Sequence, residues 1–186
     1  MMLKFLPLLA FMLAVAATVW RLVAVKQALG VKAWAVGETG RLPRVTGMGF
    51  FAAFSVIGYA TLVLAWEDNN RLWPHLFGAM FAGAGALVMI IAQIQMGRAW
   101  RIGIRPGDAP ELVDTGLFAV SRNPIYLGMA LLAVGTAIAS GLWWAWVALL
   151  VFVVVTDLHI RHEESHLREN FGATFIAYCA KVRRWI

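Results

Sequence analysis

The chain has 186 residues, of which 61% are hydrophobic and 14% charged, with nine tryptophans and a mean hydropathy of +0.74. That balance is too apolar for a soluble domain of this size and places the chain in a membrane. The net charge of +6 does not point to nucleic acid, because the basic residues sit in short segments between long apolar runs, where they face the cytoplasm and anionic lipid. A single cysteine, Cys179, excludes an internal disulfide.

A helix needs about 20 apolar residues to cross roughly 30 Å of hydrocarbon. The first such run extends from Phe5 to about Val25, with Arg21 near its end. Lys4 ahead of it and the small residues Ala14, Ala16 and Ala17 also fit a secretory signal, but the run is read here as a retained helix. The second extends from Val45 to Trp66 and the third from about His75 to Gly97, with Gly78, Gly83 and Gly85 expected at close helix contacts. The fourth apolar region, Asn123 to Thr156, carries no charge, and as one straight helix it would be about 50 Å long. It must turn, and Ser140-Gly141 ahead of Trp143, Trp144 and Trp146 is the natural place. The result is a hairpin of two short helices, each roughly 24 Å long.

These elements predict an all-α polytopic membrane protein with about five transmembrane helices, the last two a short helical hairpin, plus a cytoplasmic C-terminal helix. Residues 1–92 are expected to form the N-terminal transmembrane helices and 93–186 the functional core, within one structural unit. Arg21, Lys26, Lys32, Arg41 and Arg44 flank the first loop, and further basic residues fill the third loop and the tail. The second loop, Glu67-Asp68-Asn69-Asn70-Arg71, is acidic instead. The positive-inside rule then puts the N-terminus outside, and the C-terminus and both long polar segments on the cytoplasmic side of an inner or plasma membrane.

Those two polar segments are residues 98–126 and 157–186. The first ends at Asn123-Pro124, where proline suits the first turn of a helix and the free N–H groups suit an anion such as a carboxylate. The second reads as a helix from Asp157 to about Asn170, a turn at Phe171-Gly172, and an amphipathic continuation through Phe175, Tyr178 and Val182 packed on the bundle or lying at the lipid surface. Within it, His162-Glu163-Glu164-Ser165-His166 matches the H-E-x-x-H of zinc proteases. Catalytic zinc needs a third protein ligand, yet no histidine follows His166 and the only later acidic residue is Glu169. His159, three residues before His162, offers an upstream route, but a charged helix with Glu164 four residues before Arg168 accounts for much of the pattern. No metal is expected.

Taken together, the two segments read Glu111-Leu112-Val113 with Gly116 and Phe118, then Arg122-Asn123-Pro124 with Tyr126, then, past the hairpin, Glu163-Glu164, Leu167, Phe171-Gly172, Phe175 and Tyr178. This order and spacing resembles the isoprenylcysteine carboxyl methyltransferases and their relatives among small integral-membrane methyltransferases, including phospholipid methyltransferases. The resemblance covers about residues 93–186.

It implies S-adenosylmethionine bound on the cytoplasmic side, with Glu111, Leu112, Val113, Phe118, Arg122, Asn123, Pro124, Tyr126 and Glu163 around it. His159, Glu164 and Arg161 are the candidate catalytic group. It also implies a lipophilic or lipidated acceptor reaching the site from the bilayer: a prenylcysteine-like carboxylate, a lipid amine or a small thiol. The expected lateral gap lies between the short hairpin and the third span, whose Gln93 and Gln95 are polar groups suited to a partner or a cavity. Asn123 stands where many members carry histidine, Phe118 where tyrosine is frequent, and His159 where carboxyl-methylating members carry an arginine. An NADPH-dependent sterol-type reductase and a non-enzymatic membrane scaffold are the alternative readings.

Overall fold

The computed structural model describes residues 2–29, 41–67, 71–100 and 112–186. Its long elements are helices α1 (Leu6–Leu29), α2 (Arg41–Trp66), α3 (Leu72–Gln95), α4 (Pro124–Ser140) and α5 (Trp143–Lys181). Short 3-10 turns cover Met2–Phe5, Gly97–Ala99 and Gly116–Ala119, and no strand occurs among the described residues. α1, α2, α3 and α5 are long and apolar enough to cross a membrane, and α4 is a shorter apolar helix. The all-helical expectation holds.

Long-range contacts sort the helix ends into two sets, so successive helices run antiparallel. At one end Lys4 donates to the carbonyl of Glu67 at 2.6 Å and Arg71 to that of Ser140 at 2.7 Å. At the other, Arg21 donates to the carbonyl of Gly97, and the Oε1 of Gln95 accepts the N–H of Leu117 at 2.8 Å. Trp66, Trp73 and Trp143, 88%, 63% and 75% exposed, gather at the first end, as tryptophans do at a membrane interface.

The turn expected at Ser140-Gly141 is present. Gly141 sits at φ 66, the left-handed position that closes a helix, and the Arg71 guanidinium adds a cation at the negative end of α4. Asn123-Pro124 starts α4 as expected, with proline in its first turn.

α5 differs. The hairpin was expected to be two short helices, but α5 runs for 39 residues and joins the fifth span to the polar helix that follows. The loss of hydrophobicity after Thr156 marks where the helix leaves the apolar zone, not where it ends: backbone hydrogen bonds are satisfied equally well in lipid and water, and Asp157 and Arg161 support the turn as an i,i+4 pair at 2.7 Å. The interruption expected at Phe171-Gly172 is a kink inside this helix, at Gly172 with φ 50 and ψ −123, a region in which only glycine is relaxed.

α3 and α4 pack backbone to backbone. Gly78 faces Gly135 and Gly85 faces Gly128, the same seven-residue spacing read in opposite directions. A Cβ on Gly78 would lie 2.6 Å from the carbonyl oxygen of Gly135, and one on Gly128 would lie 2.7 Å from that of Gly85. Gly83, also expected in this contact, faces open space. The expected gap between the hairpin and the third span is therefore closed: main chain meets main chain there, and at the end near Gln95, Ile125 packs with Trp100, Met96 and Val25. Of the two glutamines of α3, Gln93 donates to Thr18 at 2.9 Å but leaves its Oε1 buried without a partner, while Gln95 holds Leu117.

Because the atoms facing these glycines are backbone, a side chain there must separate two helices. Gly128→Val is expected to destabilise the folded protein in detergent by about 3 kcal/mol, read as a lowered Tm, whereas Gly83→Ala should leave Tm within about 1 °C.

Candidate active site

The polar part of α5 presents two faces, and each collects residues from distant parts of the chain. On the first, His159 and Glu163, four residues apart, turn toward α2 and α4. The Nδ1 of His159 lies 3.1 Å from the Thr46 hydroxyl of α2, and its Nε2 lies 3.6 Å from Glu163 Oε1. The Tyr126 hydroxyl of α4 reaches both carboxylate oxygens of Glu163 at 3.3 Å. Phe50 closes this group, with ring centroids 5.6 Å from Tyr126, 6.5 Å from His159 and 5.4 Å from Phe152. A titratable imidazole thus stands between a hydroxyl and a carboxylate at the edge of an apolar aromatic cluster.

On the second face, charges alternate along a ladder: Arg122, Glu164, Arg184, Asp157, Arg161. Arg122 Nη2 lies 3.1 Å from Glu164 Oε1. Arg184 grips Glu164 with two bonds, Nε to Oε1 at 3.1 Å and Nη2 to Oε2 at 2.7 Å, and reaches Asp157 at 3.4 Å. The hydrogen bonds to Glu164 raise the pKa of Arg184 further, so it stays charged. Arg161 bonds only the outer end of the ladder, Asp157, and its side chain is 61% exposed. Glu164 and Arg122, by contrast, are only 12% and 13% exposed.

The segment before α4 is tied to the residues after α5. The N–H of Arg122 donates to the carbonyl of Arg183 at 3.0 Å, and the carboxamide of Asn123 donates to that of Arg184 at 3.1 Å. Tyr178 donates to the carbonyl of Phe118 at 2.7 Å. Burial pushes the Tyr178 phenol up to about 12, so it remains a donor at neutral pH. Phe175, Tyr178 and Val182 pack with Leu112, Leu167 and Phe171; the amphipathic face therefore rests on the 112–119 segment. Between these walls an open cleft of about 650 Å³ is lined by Leu112, Asp114, Ala119, Ala173, Thr174, Ala177, Tyr178, Lys181 and Val182. Arg122 is not itself one of the lining residues; its N–H bonds the carbonyl of Arg183, the neighbour of the lining residue Val182, and its Nε is buried with no hydrogen-bond partner.

Of the residues singled out from sequence, Tyr126, His159 and Glu163 come together on the first face and Arg122 and Glu164 on the second. Leu112 lines the cleft, whereas Phe118 is buried and offers its carbonyl, and Val113 and Pro124 are not among the cleft residues. Arg161 stands apart from both faces' centres, and Glu111 lies outside the described residues. Tyr178 read from sequence only as part of the amphipathic continuation and the family pattern, and Thr46, Phe50 and Arg184 had no sequence signal of their own: Thr46 meets a residue 113 positions away, and Arg184 read only as one more basic residue near the membrane. Among the described residues no three His, Cys, Asp or Glu are grouped to hold a metal ion.

The profile of the phospholipid methyltransferase family matches residues 73–174, more than half of the 186. The chain belongs to that family. This methyltransferase is 28% identical over 135 residues to protein-S-isoprenylcysteine O-methyltransferase B of Arabidopsis thaliana, covering 69% of this chain and 67% of that protein. It is 27% identical over 134 residues to the probable protein-S-isoprenylcysteine O-methyltransferase of Oryza sativa subsp. indica, covering 70% of each. An uncharacterized protein of Haemophilus influenzae is 32% identical over 63 residues, 33% of this chain and 100% of that protein. No solved structure matches. With four helices able to cross a membrane, the protein is an integral-membrane methyltransferase.

The Tyr178–Phe118 bond is the main polar tie across the cleft. Tyr178→Phe should cost about 1–2 kcal/mol, the scale of a buried carbonyl left without its donor, and should lower Tm in detergent by a few degrees; an unchanged Tm would show that the tie contributes nothing.

Proposed function

We propose that this methyltransferase uses S-adenosylmethionine, held at the cytoplasmic face between residues 112–126 and the polar part of α5, to methylate a lipid or lipid-bearing nucleophile. The observation that carries the reading is the orphaned Arg122 Nε, a buried cationic donor without an acceptor, on a residue whose N–H is bonded to Arg183, next to Val182 in the wall of the open cleft. The methionyl carboxylate supplies such an acceptor, and a guanidinium suits it in geometry and charge. The cleft, with Leu112, Ala119, Ala173 and Ala177 in its walls, offers apolar surface for a purine, with Thr174 and Asp114 for ribose hydroxyls. Glu163, with the Tyr126 ring beside it, suits the positive sulfonium end.

When bound, the donor supplies an activated methyl group. The protein's part is to hold acceptor and donor in line and to exclude water. The acceptor's lipid part is taken to reach the site along α2, past the packed cluster of Phe50, Phe152 and Tyr126, which has to part to admit it, in place of the closed α3–α4 side. His159, fixed by Thr46 and backed by Glu163, sits where it can accept a proton from a protic acceptor such as an amine or thiol. The names of the plant relatives favour a lipidated acceptor and that of the family a phospholipid one; both fit an aromatic approach. The cluster of basic residues at this end supports a cytoplasmic site with the N-terminus outside. The 93–186 region is proposed as the cofactor-binding core, with α1 and α2 completing its wall.

Purified protein in detergent is expected to bind S-adenosylhomocysteine and not NADPH, and to transfer labelled methyl from S-adenosylmethionine to a long-chain acceptor; NADPH binding without S-adenosylmethionine binding would overturn the reading. Phe50→Leu should raise KM for the long-chain acceptor by about tenfold, about 1.4 kcal/mol, with S-adenosylhomocysteine affinity changed far less, since Phe50 lines no part of the cleft.

A further inference from the structure

Glu164 is claimed by two guanidiniums at once. Its Oε1 receives Arg122 Nη2 and Arg184 Nε, both at 3.1 Å, and its Oε2 receives Arg184 Nη2 at 2.7 Å. The side chain is only 12% exposed, so a bare carboxylate there would carry a large desolvation cost. Were Arg122 its only partner, Arg122 could not leave Glu164 for any other anion without stranding that charge. Arg184 removes the obstacle. Its two bonds form the planar fork-to-fork pairing of guanidinium and carboxylate, and its backbone is itself pinned, with its carbonyl accepting from Asn123 Nδ2 at 3.1 Å and from Ser121 Oγ at 3.4 Å. Trp185 Nε1 and Arg184 Nη1 both reach Asp157 at 3.4 Å, so the turn after α5 is anchored on three sides.

We propose that Arg184 is a positioning residue: by holding Glu164 bidentately it frees Arg122 to turn its unpartnered Nε and its Nη2 toward the carboxylate of a ligand in the adjoining cleft. The assignment rests on the proposed function, in which that carboxylate is the methionyl end of the methyl donor. Arg184 acts through Glu164 and Arg122 and does not itself touch the ligand. A lysine at this position keeps the charge but offers a point cation with no fork, so Glu164 would retain Arg122 as its second partner and compete with the ligand for it.

The test compares two ligands on the purified full chain in detergent by calorimetry: S-adenosylhomocysteine, which carries the amino-acid arm, and 5′-methylthioadenosine, which has the same purine, ribose and thioether without it. Arg184→Lys is expected to weaken S-adenosylhomocysteine by about tenfold, the scale of one charge-assisted bond, and to change 5′-methylthioadenosine by less than about twofold. In a Glu164→Gln background the same substitution should change neither ligand by more than about twofold, because the residue through which Arg184 acts is gone. Equal losses for both ligands in Arg184→Lys would make Arg184 merely structural, and no loss for either would remove it from the site; each overturns the assignment while leaving the proposed function standing. Wild-type protein that binds neither ligand overturns the proposed function, and the assignment with it.

Discussion

Two helices that touch through four glycines set the position of everything at the end of the bundle that carries Arg122 and Glu164. Gly78 and Gly85 on α3 meet Gly135 and Gly128 on α4 so closely that backbone faces backbone, and this leaves α4 no freedom to slide. A 17-residue helix is short for a membrane crossing, so its lipid-facing surface alone would set its depth poorly. Locked on α3, it begins at Pro124 one turn before Gly128, which faces Gly85 and Met89, and the bond between Gln95 and Leu117 ties the segment ahead of it to the end of α3. Arg122, Asn123 and Tyr126 therefore stand at a defined height, where α5 arrives with Glu163 and Glu164.

The second organising feature is that α5 does not stop at the membrane. Two adjacent glutamates on one helix project about 100° apart, and here each serves a different chemistry. Glu163 faces the aromatic cluster with Tyr126 and His159; Glu164 faces the arginines. A rigid rod carrying both couples the depth of the apolar span to the geometry of the polar site. The kink at Gly172 then turns the last stretch back over the 112–119 segment, bringing Tyr178 against Phe118 and the following residues against Arg122 and Asn123. The cleft is the space this fold-back leaves open.

How far the sequence disclosed this follows from the range of the interactions involved. Local signals read well: the uncharged stretch 123–156 demanded a turn, Ser140-Gly141 supplied it, and Asn123-Pro124 marked a helix start, all within a few residues of chain. The end of α5 read poorly, because the change from apolar to charged at Asp157 reports the solvent around the helix and not the backbone hydrogen bonds within it. Of the three glycines on α3, spacing could not tell Gly83 from Gly85; only their direction relative to α4 separates an open face from a contact. The paired segments 111–126 and 163–178 were recognisable as a methyltransferase pattern, and the structure pairs Tyr126 with Glu163 on one face of α5 and Arg122 with Glu164 on the other. Thr46 and Arg184 could not be foreseen, since each contributes through a partner far along the chain, and such pairings leave no periodic trace.

The central claim is that one ligand is held jointly by the 112–126 segment and the polar part of α5. Hydrogen–deuterium exchange of the protein in detergent, with and without saturating S-adenosylhomocysteine, tests it most directly. The account predicts slowed exchange in residues 112–126 and, at the same time, in residues 157–182, with residues 59–75 at the opposite end of the bundle unchanged. Slowing in only one of the two segments, or slowing centred on the opposite end, would contradict it.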